Sequence, residues 1–381
     1  MKLLFVLSRF PYPLEKGDKL RAYHQLRILS QQHDIYLFAL SDKEIAPSSM
    51  DALKPYCKDI RVGRINTCSK VFNSFVFFLK GLPIQCGYFF NRKAQKQLQR
   101  FVDEVRPDRI FAQLVRTAPY VQPIKIEKTI DYQDAFSQGM WRRAQKSPFW
   151  LKPFYLMEYR RLSRYEAAVF HDFQHHTIIT ETDRELMPVP EKDQIKVVGN
   201  GVDFEQFKYT DQERVHDLIF AGNMAYPPNV DAAEFIVNQI LPELSTRFPD
   251  LRVVLCGANP TAKVRALQGP QVLVTGWVDF IADYYAQSRI FVAPMRLGTG
   301  LQNKLLEAMA TRLPCVTSLL AAKPLKGAEY QKDVLVCETP GEYADAITRL
   351  LTDQAYYDEI SQNAYRFVKE HYSWDVMKSL V

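Results

Sequence analysis

Short apolar runs alternate with helix-length stretches along this chain, and that alternation leaves few folds open. "KLLFVLS" (2–8), "DIYLFALS" (34–41), "RIFAQLV" (109–115) and "KTIDYQD" (128–134) read as strands, with a helix from about Leu20 to Gln32 after the loop "RFPYPLEKGDK". A polar helical segment over 154–173 and "HTIITE" (176–181) follow, and "IKVVGNGVDFEQF" (195–207) ends a strand in an Asn-Gly turn. The series then restarts with "HDLIFAGN" (216–223), "LRVVLCGAN" (251–259), "VLVTGWV" (272–278), "RIFVAPM" (289–295) and "LPCVTS" (313–318). Strands that return through helices predict parallel βα units with helices on both faces of a sheet.

The same pattern occurs twice in 381 residues, a length beyond the roughly 250–300 at which a single core stops growing. Two doubly wound, Rossmann-like α/β domains are therefore expected, 1–203 and 204–365, with a last helical segment over 366–381. Ligands of such sheets sit outside the carboxyl ends of the strands, so two facing sheets predict an interdomain cleft.

Charge divides the same way. Residues 1–200 hold 32 Lys and Arg against 21 Asp and Glu, and the remainder 17 against 22. Much of the excess lies within 51–100, interleaved with "KVFNSFVFFLKGLPIQCGYFFNRK". A basic, aromatic surface suits an anionic membrane, an anionic acceptor or nucleic acid; an ordinary buried helix with solvated lysines at its ends is the alternative. The longest apolar run, Val71 to Leu79, contains Asn73 and Ser74 and falls short of the roughly 20 residues of a membrane span. "MKLLFVLSRFPYP" lacks a small-residue cleavage site, so the expected place is the cytoplasm, at the inner face of the cell membrane. Cys57, Cys68, Cys86, Cys256, Cys315 and Cys337 show no metal-type spacing and read as reduced structural thiols. His171 and His175 have helical i,i+4 spacing, but without a third ligand they read, like His24 and His176, as solvated histidines, and no metal is predicted.

The stretch "APMRLGTGLQNKLLEAMATRLPCVTS" (293–318) carries the strongest chemical signal. Gly298 and Gly300 let backbone N–H groups approach a phosphate, and the helix that follows, from about Leu301, adds its positive end. Leu301, Leu305, Leu306 and Met309 make its buried stripe, while Asn303, Lys304 and Glu307 share another face. A lysine one turn in can neutralise a diphosphate, and a carboxylate a turn later can accept two ribose hydroxyl hydrogens. A surface Lys–Glu pair is the plain alternative. Other strands of this half also end in small-residue loops, at Gly222–Asn223, at Gly257 and at Gly276–Trp277–Val278.

The set "NGVD", "FAGNMAYPPNVDA", "GANP", "VTGWVDFIADYYAQSRIFVAPM" and "GTGLQNKLLEAMA" resembles the retaining glycosyltransferases of the two-domain GT-B fold, family 4, in the branch associated with bacterial exopolysaccharide and envelope glycans. "RFPYPLEKGDKLRAYHQLRILS" and "IDYQDAFSQGMWRRA" fit the same branch. The resemblance implies a nucleotide sugar, a UDP- or GDP-sugar, as co-substrate on the second domain, with no other cofactor and no metal. It implies a donor site of Gly222, Asn223, Gly257, Gly276, Trp277, Val278, Gly298, Thr299, Gly300, Leu301, Gln302 and Asn303. Lys304, with Arg296, would stabilise the leaving diphosphate, and Glu307 would anchor the ribose. Thr299 stands where many members of the family carry a glutamate that contacts the donor sugar, and Asn223 and Met224 stand where they carry a diphosphate arginine. The last segment, with Trp374, is expected to cross back to the first domain.

On the first domain the resemblance implies an acceptor site, a saccharide or a lipid-linked saccharide. Gly17, Asp18, Lys19 and Arg21 open the first helix beside the cleft; Asp18 as a helix cap with Lys19 and Arg21 solvated is the alternative. Gln113, Arg116, Asp131 and Asp134 fall at two later strand ends. Arg116 is suited to an acceptor phosphate, and the two aspartates to orienting an acceptor hydroxyl, unless they cap helices. The expected activity is sugar transfer with retention of configuration. A catalytically silent partner in glycan assembly and a nucleotide-sugar epimerase are the other classes considered. No GxGxxG follows the first strand, which argues against a dehydrogenase, and nucleic acid is not an expected partner.

Overall fold

The computed structural model describes residues 1–210, 212–298 and 300–380. Two compact units emerge, one of residues 1–199 joined by the segment that begins at Asp375, the other of residues 200–374. Helix Gln354–His371 runs unbroken through position 366 as part of the second unit, and a short 3-10 segment, Trp374–Leu380, follows it.

The first unit is a seven-stranded sheet in the order β3-β2-β1-β4-β5-β6-β7. Its strands are β1 (Lys2–Leu7), β2 (Asp34–Ser41), β3 (Asp59–Arg64), β4 (Arg109–Gln113), β5 (Glu127–Asp131), β6 (His175–Ile178) and β7 (Lys196–Val197), and all pairings are parallel. Central strands of such a sheet are covered on both faces and so need unbroken apolar sequence; Leu3 to Leu7 are all 0% exposed. The order reverses between β1 and β4, which makes their carboxyl ends the switch point. Strand β3, "DIRVGR", has no apolar run to reveal it. As the edge strand it tolerates charge, and Arg61 lies 4.2 Å from the Phe101 ring while reaching Glu104.

The second unit repeats the design with β10-β9-β8-β11-β12-β13. These are β8 (His216–Ala221), β9 (Val253–Cys256), β10 (Val272–Gly276), β11 (Ser288–Ala293), β12 (Cys315–Thr317) and β13 (Leu335–Val336), again parallel throughout. Leu218, Ile219 and Phe220 are fully buried, as are Leu305, Leu306, Ala308 and Met309 on the helix Asn303–Ala310, while Leu301 precedes that helix and is half-buried. The switch point here lies between β8 and β11.

Two histidine expectations change. His24 and His176 are buried, the latter stacked on Phe170 with ring centroids 3.9 Å apart, so packing and not solvent surrounds them. His171 ends helix Lys152–Phe170 and His175 begins β6, so their i,i+4 spacing never forms a helical pair. All six cysteines are free thiols. Among the described residues no helix is long and apolar enough to cross a membrane.

Candidate active site

The ends of β8, β9 and β10 are stitched side by side through glycine backbone. Gly222 N–H donates to the Cys256 carbonyl at 3.0 Å, and Gly257 N–H to the Gly276 carbonyl at 3.1 Å. Close approach is what demands glycine. A Cβ on Gly257 would stand 1.8 Å from the Gly222 carbonyl oxygen, and one on Gly222 would stand 2.7 Å from Asn229 Nδ2 and 3.1 Å from Lys304 Nζ.

After β11 the chain turns through Gly298 at φ 104° and Gly300 at φ 79°, both in the left-handed region that L side chains avoid. Thr299, between them, lies outside the described residues. Helix Asn303–Ala310 then begins without a side-chain cap from Gln302, whose Nε2 donates instead to the Gly300 carbonyl at 3.3 Å. The Leu305 N–H turns back to the Gln302 carbonyl at 2.9 Å, and the N–H groups of Asn303 and Lys304 keep the helix's positive end for another acceptor.

Lys304, at half-buried depth, turns its ammonium onto the end of β8. Nζ donates to Asn229 Oδ1 at 2.6 Å, lies 4.5 Å from the Phe220 ring and 4.0 Å from Met295 Sδ. Desolvation pulls its pKa down to about 7, with Glu307 pulling the other way. Glu307, one turn on, accepts from the Tyr285 hydroxyl at 3.1 Å. Burial pushes its carboxyl up to about 7, opposed by the Tyr285 hydrogen bond and by Lys304. One crevice at the switch point thus holds a lysine poised to gain a proton beside an anion and a carboxylate poised to lose one.

Asn229 was not legible in the sequence. It sits in the first turn of helix Pro227–Phe235, where an asparagine reads as a capping residue, yet its Nδ2 donates to the Asn223 carbonyl at 2.9 Å while its Oδ1 receives Lys304. Tyr285 was missed for a similar reason: a tyrosine in an apolar helix reads as core. Asn223 turns its own side chain onto Ala225 N–H at 3.0 Å, and Asn303 accepts from Asn200 Nδ2 at 3.2 Å. Trp277 is 61% exposed beyond β10, next to Gly276 at φ 72° and half-buried Val278. Arg296 is engaged elsewhere. Its Nε and Nη2 form a fork on Asp231 at 3.1 and 2.8 Å, and its guanidinium lies 4.4 Å from the Phe235 ring.

In the first unit the predicted residues separate into two groups. Arg21 and Asp131 are both fully buried, with Arg21 Nε 2.7 Å and Nη2 3.1 Å from the carboxylate oxygens. Gln25 and Thr177 donate to the same carboxylate at 2.8 and 3.0 Å, which leaves Asp131 no free face for an acceptor hydroxyl. The acceptor roles expected for Arg21 and Asp131 are thus corrected: this is an internal ion pair joining helix Gly17–Leu29 to the sheet, because only a paired charge can be held at that depth.

The other group runs from buried Gln113 and Arg116 out to exposed Gly17 and Asp134. Asp18 does not cap its helix; it pairs with Arg9 and lies 3.6 Å from Arg116 Nη2, while its carbonyl accepts from Gln113 Nε2 at 3.0 Å. The Arg116 guanidinium lies 4.5 Å from the Phe89 ring and 5.4 Å from that of Phe136, and burial and Arg9 lower its pKa to about 10. Asp134 is exposed past β5, its carboxyl shifted upward by the protein around it and by Asp183. Lys19, held by Glu15 at 2.9 Å, lines a cavity of about 470 Å³ with Arg9, Tyr12, Lys16, Lys43 and Lys70. Gly17 opens the helix beside it.

Two parallel sheets, each reversing order at its centre, are the arrangement of the GT-B fold. Residues 215–353, most of the second unit, match the family model Glycosyl transferases group 1, so that unit carries a domain of this kind. A Klebsiella pneumoniae protein described as an uncharacterized 44.6 kDa protein in the cps region is 22% identical over 394 residues, covering 97% of this chain and 96% of its own. Among solved structures, HepE from Anabaena in complex with UDP and glucose superposes with TM-score 0.70 at 14% identity, over all of this chain and 97% of that one. Sucrose-phosphate synthase from Thermosynechococcus elongatus gives 0.68 at 14% identity, over 99% and 96%. At such identity these two structures speak for the fold.

Proposed function

We propose that the protein transfers a glycosyl residue from a nucleoside diphosphate sugar to a hydroxyl of a glycan or lipid-linked saccharide during cell-surface polysaccharide synthesis, with retention of anomeric configuration. The single observation that carries this is the Lys304 ammonium seated at the end of β8 against Asn229, a turn before a carboxylate oriented by Tyr285. The diphosphate would lie on the amides of the Gly298–Gly300 loop and the first turn of helix 303–310, with Lys304 as its counter-charge. Glu307 would accept the ribose hydroxyls, and Trp277 would flank the base. Attack comes from the face the leaving group departs: the acceptor oxygen bonds to the anomeric carbon, the bond from that carbon to the diphosphate oxygen breaks, and the acceptor's proton passes to a diphosphate oxygen. No protein nucleophile or metal is needed in that scheme. UDP is the favoured nucleotide, since HepE is described in complex with UDP and with UDP-glucose. The cps-region relative supports the polysaccharide setting. The acceptor would lie at the cavity of the first unit, where Arg9, Lys16, Lys19, Lys43 and Lys70 outnumber Glu15, Asp42 and Glu44, and that unit's basic, aromatic half would face the cytoplasmic side of an anionic membrane.

A catalytically silent partner is the second reading, favoured by the fork that ties Arg296 to Asp231 and leaves Lys304 as the cation at the crevice. Calorimetric titration of UDP, GDP and ADP into wild type and Lys304→Ala separates the cases, followed by donor hydrolysis. Selective binding of one nucleotide, lost in the variant, with measurable hydrolysis, upholds transfer. Binding without any turnover favours the silent partner, and no binding at all removes both.

A further inference from the structure

Helix Lys152–Phe170 presents a face that its own core does not use. Lys152, Leu156, Arg160 and Arg164 follow one another at i+4 spacing, and with Phe149 and Arg161 they line a surface cavity of about 500 Å³. Four lining side chains are cationic and none is acidic. The helix's own carboxylates are spent inward: Glu158 accepts from the N–H groups of Ile84 and Gln85 at 3.2 and 3.1 Å, and Glu166 from Ser137 N–H at 3.2 Å. Arg161 feels the Glu158 carboxylate, but among the described residues Lys152, Arg160 and Arg164 form no ion pair, so their positive charge is left to the cavity.

Exposed apolar side chains flank it at the start of its own helix and on a neighbouring one. Phe149 is 82% and Trp150 65% exposed before the helix, with Leu151 and Phe154 also exposed. Helix Thr67–Leu79 presents Val71, Phe72, Phe75 and Leu79 to solvent, and Phe72 is 66% exposed. Arg161 joins the two, its guanidinium 4.7 Å from the Phe78 ring and its Nη1 directed to the Leu82 carbonyl at 3.5 Å. A single exposed aromatic calls for no explanation, but two sets of exposed apolar side chains, bridged by Arg161 and beside a cavity lined by cations without an acid, mark a docking surface. Aromatic rings and arginines settle together at the depth of lipid headgroups, where rings meet hydrocarbon and cations meet phosphate. A second copy of this chain is a poor occupant, since a symmetric contact would set the four cations against themselves.

We propose that this face, residues 149–164 with the outer side of helix 67–79, seats the protein on an anionic bilayer, with lipid phosphates held in the cavity by Lys152, Arg160 and Arg164. Phe149 and Trp150 enter the headgroup–hydrocarbon boundary beside them. The inference supplies the surface and chemistry for the membrane contact proposed above and does not depend on sugar transfer.

Vesicle flotation without nucleotide tests it, using phosphatidylcholine alone or mixed with phosphatidylglycerol. Wild type is expected on the mixed vesicles only, with tryptophan emission shifted to shorter wavelength. Each cation near an anionic surface is worth about fivefold in partitioning, so Arg160→Gln/Arg164→Gln should lose roughly thirtyfold. Phe149→Ser/Trp150→Ser should lose the emission shift and the binding that survives high salt. Both variants should keep wild-type nucleotide affinity, which shows that they fold. The proposal is overturned by wild type that ignores anionic vesicles, by partitioning that neither variant changes, by equal binding to neutral vesicles, or by a sedimenting dimer that Phe149→Ser/Trp150→Ser dissolves. An oligonucleotide that displaces the vesicles from this face also overturns it. Vesicle binding without nucleotide binding upholds this surface and removes both readings of the nucleotide site.

Discussion

Asn229 receives the Lys304 ammonium at 2.6 Å on its carbonyl oxygen and gives its amide to the Asn223 carbonyl at 2.9 Å. One side chain ties the loop after β8 to the helix after β11, and so sets where the only charge-bearing group on that helix's first turn points. Asn229→Ala removes a hydrogen bond to a charged group, worth about 1.5–3 kcal/mol. Nucleotide affinity should fall by roughly ten- to a hundredfold, read by calorimetry, while the melting temperature changes little. Unchanged affinity would show that Lys304 finds its place without the asparagine.

Nucleotide binding should be linked to protons in a defined direction. Lys304 sits at about 7, below its ordinary value of 10.5, so above pH 7 the free protein holds it mostly neutral. A diphosphate restores the charge, so binding takes up a proton and affinity declines as pH rises from about 7 toward 10. Glu307, raised to about 7, must release its proton to accept ribose hydroxyls, so affinity also declines on the acid side. Titrations in buffers of different ionisation enthalpy should give proton uptake above pH 7.5, and any binding that Lys304→Met retains at high nucleotide concentration should lack it.

The same substitution should stabilise the free protein. A lysine whose folded pKa lies below its unfolded one costs stability that is greatest below about pH 7 and fades as pH approaches 10.5. Lys304→Met should therefore raise the melting temperature at pH 6.5 and lose that gain by pH 10, a stability gained where function is given up.

Gly257→Ala should be among the most damaging single-methyl additions in the second unit. The new Cβ meets a backbone carbonyl at 1.8 Å, and backbone cannot move aside as a side chain tip can. Overpacking of this kind costs about 1–3 kcal/mol or more. Urea unfolding should show it, whereas Gly269→Ala, with nothing within 4 Å, should be nearly silent.

Arg21→Leu leaves the Asp131 carboxylate buried without its partner, a change that costs about 3–5 kcal/mol. Loss of folding stability with no selective effect on acceptor KM is the expected outcome. A raised acceptor KM in a variant of unchanged stability would return Arg21 to the acceptor site.

The strand series was legible because parallel strands covered on both faces leave no room for polar residues, as the run Leu218–Phe220 shows. Strand β3 was not, since an edge strand is free of that demand. Gly298, Gly300, Lys304 and Glu307 stood out because left-handed glycines and charges at helix spacing have few other uses. Asn229 and Tyr285 did not, because an asparagine in a first turn and a tyrosine among apolar residues are ordinary in sequence.

By itself, then, the sequence determined two parallel α/β units and the glycine-bounded helix that carries the lysine and the carboxylate, since local spacing and backbone chirality suffice for both. Which charges meet was left to the tertiary structure. Arg21 and Asp131, 110 positions apart, become an internal pair, and Arg296 is drawn to Asp231 while Lys304 is turned to Asn229. An ionised group buried on folding must find an opposite charge or a hydrogen-bond partner or give up its charge, and the partner it finds depends on which strand ends the sheet order brings together.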